Sequence, residues 1–466
     1  MIQYTPFIID KVIPLIINIG VGIILLSPLP FGNVETWSVS MFEIVSFITL
    51  GVWLIGKILR GRIRLMESPL YLPLGLFFIL VILQTLKLPE ALQGLLSPHT
   101  SALWQSQSEA LAFIVGGQIN VPGTISVYPF VTREKLLLYI SYAAFFLVTA
   151  DHIRTSRQIK RFFWVVFTVS VIESLIGLMQ YIASGTKVPA SGTYVNPNHL
   201  AGLLVLVILF CLGYLLYLYS RHGTVISHRG GKIRLPDSSH IIMFFATGLM
   251  AISLILAQSR GAILSFGAAL FFFYVLVSRS KRSNSTKWLL GSFIAVILVY
   301  SIWIGLDPVI DKFSDTTREL PNRTYIWKDS INMIRDFPLF GVGLGNFSLA
   351  YTLYKKDAYW PHVYDHAHND YIELATETGI VGFALVFWAL IAFFRKVYRS
   401  EKYFSSEKDP FSYYILVGLL SGMFGMFVHT ITEFTFQIPA NAYYFTFMLA
   451  LTASLVNRVS EREKSG

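Results

Sequence analysis

Apolar runs of about 18 residues or more recur along nearly the whole chain, with short polar segments between them. The pattern predicts twelve membrane-spanning helices, at about 12–29, 38–56, 69–86, 136–152, 162–183, 199–219, 239–257, 261–278, 288–305, 379–394, 412–430 and 440–456. The first run is followed directly by others and shows no small-residue cleavage site, so it reads as a first span rather than a signal peptide. Two longer segments, 87–135 and 306–378, interrupt the rhythm. The first is rich in apolar residues, Pro and Gly, and has no charge constellation. The second holds most of the chemistry. No internal repeat is visible, and 1–466 reads as a single all-α, polytopic membrane domain.

Charge orients the helices. Alternate connections carry basic clusters, beginning with Lys57, Arg60, Arg62 and Arg64 and ending with Arg458, Arg462 and Lys464; 25 of the 37 Lys and Arg residues fall on one side of a twelve-span layout. The positive-inside bias makes that side cytoplasmic, with both termini there and segments 87–135 and 306–378 outside. The cytoplasmic connections leave no room for a catalytic domain. Composition agrees: 54% of residues are hydrophobic and 14% charged, against about 25% in soluble domains. The net charge of +10 does not imply a nucleic-acid partner, because the basic residues are scattered as short clusters between apolar runs. The single cysteine, Cys211, excludes an intramolecular disulfide.

Candidate chemistry concentrates on the outer side. In 306–378, Asn322 is expected to cap a helix from about Arg323 to Phe337, with Ile326, Trp327, Ile331 and Ile334 on one face. The run Gly341-Val342-Gly343-Leu344-Gly345 then reads as a tight turn back to the membrane; it lacks the spacing of a dinucleotide fingerprint. Arg323 is either a solvated first-turn arginine or a bidentate phosphate ligand. Arg260 lies between two apolar runs with almost no connecting loop, where an arginine is costly: it either snorkels to headgroups or holds an anion. Asn196-Pro197-Asn198 is a strong turn signal before a span and also a candidate pocket lining.

The densest cluster is Asp365-His366-Ala367-His368-Asn369-Asp370-Tyr371-Ile372-Glu373. Were 365–378 helical, Asp365 would be the N-cap, and His368, Tyr371, Ile372 and Ala375 would share a face. His366 and His368 would then point roughly 200° apart, too far to share a metal easily. His362 and His366 have better spacing for one, but no HExxH pattern is present. A satisfied interfacial histidine and a histidine base held neutral at a helix N-terminus are the other readings.

Four pieces together resemble the O-antigen ligase and O-antigen polymerase superfamily of bacterial membrane glycosyltransferases. They are Asn196-Pro197-Asn198, Ser259-Arg260-Gly261, Asn322-Arg323 with Trp327, and His368-Asn369 followed after nine residues by Gly379-Ile380-Val381-Gly382. The ordered match spans about 190–390. The resemblance implies a GT-C-like helical membrane fold with a large helical periplasmic loop. It also implies metal-independent, inverting transfer of a glycan from an undecaprenyl-diphosphate carrier at the periplasmic face of the inner membrane, with no cofactor. By that resemblance Arg260 and Arg323 would hold the diphosphate and His368 would activate the acceptor hydroxyl. Asp365, His366, Asn369, Tyr371, Asn196 and Asn198 would support them. The acceptor stays open between lipid A–core, a growing glycan and a protein. A reading from a different class is a twelve-span transporter or flippase of lipid-linked glycans; the outer-edge position of the ionisable residues weighs against it, since transport sites tend to lie near the midplane.

Overall fold

A computed structural model describes residues 7–61, 64–117, 123–185, 188–221, 224–228, 231–235, 238–279, 291–295, 299, 316–356 and 364–464. The chain is a polytopic helical membrane protein. In order, the membrane helices are α1 (Ile13–Ile24, entered by a π-helical turn), α2 (Thr36–Leu59) and α3 (Tyr71–Thr85). Two outer helices follow, α4 (Glu90–Leu96) and α5 (Pro98–Val115), then α6 (Pro129–His152), α7 (Ser156–Ala183) and α8 (Pro197–Arg221). After a short antiparallel hairpin, β1 (Thr224–His228) and β2 (Gly231–Leu235), come α9 (Ser238–Leu256) and α10 (Arg260–Ser278). The outer layer resumes with α11 (Thr316–Asp336) and α12 (Phe347–Tyr351), and the chain ends with α13 (Asp370–Ser400), α14 (Pro410–His429) and α15 (Pro439–Lys464). Each expected span coincides with a helix except 288–305, most of which lies outside the described residues. By length and composition alone, six described helices can cross a membrane: α2, α7, α8, α10, α13 and α14. The remaining expected spans fall on helices that are shorter or more polar.

Helix α8 is apolar on every side, and its membrane-length window is wholly buried, so it forms the axis of the bundle. Helix α14 packs on it backbone to backbone. A Cβ at Gly418 would stand 2.7 Å from Leu209 O, and one at Gly422 2.5 Å from Leu206 O, so only glycine permits that approach. The outer layer has its own apolar cluster, in which Ile326 and Met333 of α11, and Phe337 just past its end, meet Phe347, Tyr351 and Ala367.

Two local expectations are corrected. Helix α11 begins at Thr316, so Asn322 lies inside it rather than capping it. Helix α13 begins at Asp370, not near Asp365: the Asn369 side chain accepts from the Tyr371 and Ile372 amides and is the cap. The fold class is all-α as expected, with the short β1–β2 hairpin in one connection.

The glycine run after α11 does more than turn. Helix α13 is broken at Gly379, whose φ of 63° and ψ of −172° are open essentially only to glycine. The amides past the break are met by the strand-like run before it: Ile380 N donates to Pro338 O at 2.8 Å, while Val342 N and Gly343 N donate to Thr376 O and Glu377 O, each at 3.0 Å. Gln84 of α3 fastens this seam, donating to Phe340 O and Glu377 O and accepting from Leu344 N. A Cβ at Gly379 would meet Leu339 C at 2.3 Å. Gly379→Ala is therefore expected to destabilise the protein by at least about 2 kcal/mol. Thermal unfolding of the detergent-solubilised protein should show a clearly lower midpoint, and an unchanged midpoint would exclude the broken-helix geometry.

Candidate active site

The turn between α14 and α15, residues 430–438, is the floor of the outer site. Glu433 at its centre is 2% exposed, and three distant segments converge on its carboxylate. Oε1 accepts from Arg323 Nη2 at 2.6 Å and from Asn198 Nδ2 at 2.7 Å. Oε2 pairs with His368 Nδ1 at 3.3 Å. An ionised carboxylate only accepts, so Nδ1 carries the proton in this pairing and Nε2 is left as the acceptor. Arg323 also donates from Nη1 to Thr432 O at 2.6 Å. Burial pushes the Glu433 carboxyl up, but the hydrogen bond from His368 and the charge of Arg323 outweigh it and hold the group down at about 2.

Next to Glu433, Phe434 gathers three imidazoles. His366 stacks on its ring at 4.2 Å, while His199 and His368 meet it edge-on at 4.8 and 4.9 Å. The expected separation of His366 and His368 on opposite helix faces is corrected, because neither lies in the helix. Both sit in the preceding turn, where His368 has a φ of +49°, an uncommon conformation for a residue with a side chain.

That turn is tied down from several sides. His366 Nδ1 pairs with Glu373 Oε1 at 2.7 Å, and the other Glu373 oxygen accepts from Ala367 N at 2.9 Å. Trp327 Nε1 donates to Ala367 O at 2.9 Å, which docks α11 on the turn. Asp370 N donates to Thr430 O, and the Asp370 carboxylate accepts from Phe436 N. Tyr371 donates its hydroxyl to Phe427 O at 2.8 Å. Histidine turn and α14–α15 turn are thus one unit.

Arg260 opens α10, where Ser259 caps the helix by accepting from Ala262 N. The next residue, Gly261, lies so close to the α14–α15 turn that a Cβ there would stand 2.3 Å from Thr432 Oγ1. This brings Arg260 to the edge of the turn that binds Arg323. On the same side, Asn196 accepts from Asn198 N at 2.9 Å, closing the turn that opens α8 and aiming Asn198 at Glu433.

The structure therefore gathers His368, Arg323 and Asn198 on one carboxylate, with Arg260 beside them. His366, Asn369 and Tyr371 shape the turn, and Asn196 shapes its neighbour. Asp365 is exposed and makes no capping bond. His362 lies outside the described residues. Among the described residues no group of three or more His, Cys, Asp or Glu is placed to hold a metal ion. Sequence reasoning missed Glu433 and Phe434, and it named Glu373 within the cluster without giving it a role. A lone acid between two apolar runs was the available signal for Glu433, by the same logic that singled out Arg260.

These features define a helical membrane protein with a site built from a histidine, a buried carboxylate and arginines. Residues 245–387 match the family model described as O-antigen ligase, a range that contains Arg260, Arg323, His368 and Gly379 through Gly382. Exopolysaccharide production protein ExoQ of Rhizobium meliloti (strain 1021) is 31% identical over 171 residues, 35% of this chain and 36% of the relative. The match thus spans about a third of the length of that curated relative. The resemblance to the O-antigen ligase superfamily stands on both findings.

A group held below its ordinary value stabilises the fold when charged. The Glu433 contribution is thus complete above its ordinary 4.5 and is lost as pH falls toward about 2. The difference in thermal stability between the wild type and Glu433→Gln should be largest above pH 4.5 and shrink on further acidification. A difference independent of pH would overturn the charged assignment.

Proposed function

We propose that the protein transfers a glycan from an undecaprenyl-diphosphate carrier to an acceptor hydroxyl at the outer face of the bacterial inner membrane, in surface-polysaccharide assembly. The observation that carries this reading is the shared carboxylate: His368 on one oxygen of Glu433 and Arg323 on the other. Hydrogen-bonded through Nδ1, His368 presents Nε2 to the acceptor and takes its proton as the hydroxyl oxygen attacks the anomeric carbon. The imidazolium so formed is stabilised by Glu433, which acts as a positioning residue. As the new C–O bond forms, the bond from the anomeric carbon to the phosphate oxygen breaks, and a single displacement inverts the centre. Undecaprenyl diphosphate departs with its electron pair. Arg323 keeps N–H donors beyond the two it gives to Thr432 and Glu433, and Arg260 lies at a helix N-terminus, where anions are favoured. Together they meet the departing diphosphate charge without a metal ion. Orientation by the basic clusters supports cytoplasmic termini and a periplasmic site.

Ligation to lipid A–core is the first reading of the acceptor. The role printed in the relative's name, exopolysaccharide production, favours extension of a carrier-linked polymer as the second. Deleting the gene and resolving surface polysaccharide on a gel separates them. Lost ligation leaves unattached polymer, lost polymerisation leaves single repeats, and loss of a protein transferase leaves both intact.

For the chemistry, His368→Ala is expected to lower turnover of a carrier-linked glycan by about 10²- to 10⁴-fold while the protein still inserts. Glu433→Gln should reduce kcat and displace its pH profile, since it alters the charge facing Nδ1. Chelation with EDTA should leave the rate unchanged. Wild-type rates in His368→Ala would remove the base from the mechanism, and a chelator effect reversed by a divalent ion would bring a metal into it. Turnover by purified protein in detergent, with no compartment to cross, would exclude transport as its sole activity.

A further inference from the structure

The end of α13 away from the histidine turn borders a cleft of about 780 Å³. Helix α13 runs from Asp370 to Ser400, so at about 1.5 Å per residue this end lies roughly 40 Å along the helix from the site described above. Arg395, Lys396, Arg399 and Lys402 all line the cleft. Spacings of four and seven place Arg395, Arg399 and Lys402 on one face as the helix passes into its terminal 3-10 turn. No carboxylate lines the cleft, and neither Arg395 nor Arg399 forms an ion pair with any described residue. The nearby Glu401 is taken by Arg279 at 3.1 Å. Like charges four apart on a helix repel, at a cost of a few tenths of a kcal/mol.

A helix C-terminus and the cytoplasmic surface each favour positive charge, which accounts for basic residues here but not for a walled cleft. The wall is built by Lys396, which is held in place by hydrogen bonds. Its Nζ donates to Glu67 O at 2.7 Å and to Asn457 Oδ1 at 2.6 Å, and Asn457 Nδ2 donates to the same Glu67 carbonyl. The α2–α3 connection, α13 and α15 are pinned together behind the arginines. Pro69 and Ala392 give the cleft an apolar part, and Ser400 and Ser460 add small hydroxyls. An adjoining hollow of only about 10 Å³ is lined by Phe393, Val397, Ala453 and Val456 together with Glu67, Lys396 and Asn457, so the room for an apolar group is in the cleft itself.

We propose that this cleft binds the phosphate headgroup of an anionic lipid from the leaflet opposite the histidine site. Two guanidiniums one turn apart match phosphate oxygens, and the apolar part accepts the start of an acyl chain. Basic pockets between membrane helices recognise lipid phosphates by this combination.

The test is native mass spectrometry of the full-length protein in detergent, titrated with dioleoylphosphatidylglycerol, with dioleoylphosphatidylcholine, or with sodium diphosphate alone. The expected result is tighter binding of phosphatidylglycerol than phosphatidylcholine, with an affinity loss of about tenfold in Arg395→Gln/Arg399→Gln. Arg399→Lys, which keeps the charge but not the fork, should fall between. A control substitution at the exposed Arg157 should leave the preference intact, and an unchanged thermal midpoint confirms that each variant is folded. Equal binding of the two lipids, or a double variant that binds like wild type, would overturn the site. Diphosphate binding as tightly as phosphatidylglycerol would overturn the lipid assignment in favour of a free phosphate ligand.

Discussion

A single carboxylate buried at a membrane edge is the interaction on which the outer half of this protein depends. Removing an ionised group from water costs several kcal/mol unless it is paired and hydrogen-bonded. Glu433 is 2% exposed and meets that demand with donors from three separate places in the chain. Arg323 brings α11, Asn198 brings the start of α8, and His368 brings the turn before α13. None of these segments contacts another through Glu433 by sequence proximity, since the partners lie 65, 110 and 235 residues away. Loss of any one leaves the others facing an uncompensated charge, so the three segments are coupled in position.

The break at Gly379 has the complementary role. An uninterrupted α13 would have saturated its own hydrogen bonds and offered the loop before it nothing to bind. Broken, it exposes amides and carbonyls that the run 338–343 occupies, and Gln84 locks that pairing to α3. The outer layer is thereby anchored to the membrane bundle by backbone bonds, which hold position better than side-chain contacts alone. The first glycine of the Gly-x-x-Gly pattern after the histidine is a fold requirement first: it breaks α13 and lets the run 338–343 pair with it.

How much of this was legible follows from what kind of information each feature needs. Spans were legible because a long apolar run identifies a membrane helix whatever its register. Arg260, Arg323 and His368 were legible because charged residues at span edges are rare enough to count as signals and because their order resembles a known family. Helix starts were less so. Asp365 and Asn369 are both good capping residues, and the choice between them is made by Glu373 and Thr430, which pull the histidine turn out of the helix. Asn322 suggested a helix beginning just after it, whereas α11 begins at Thr316 and carries Asn322 inside it. Glu433 was harder to read. It is a lone acid between two apolar runs, but it fits no spacing rule, and its partners are brought to it only when distant segments converge.

That convergence also bears on how Arg323 can act in the proposed transfer. A guanidinium tied only to substrate would bind the donor and the transition state alike, which improves affinity without speeding the chemistry. Here Arg323 already gives one donor to Glu433 and one to the Thr432 carbonyl beside it. The same carboxylate faces His368, so proton uptake by the imidazole and charge build-up on the diphosphate occur on opposite sides of one anion. As His368 becomes cationic it draws on Glu433, and the hold of Glu433 on Arg323 weakens correspondingly. The arginine's charge becomes more available to the leaving group at the moment that group needs it. Glu433 thus gives the proposed mechanism a way to couple base and electrophilic clamp, which two independent residues at the same distances would lack.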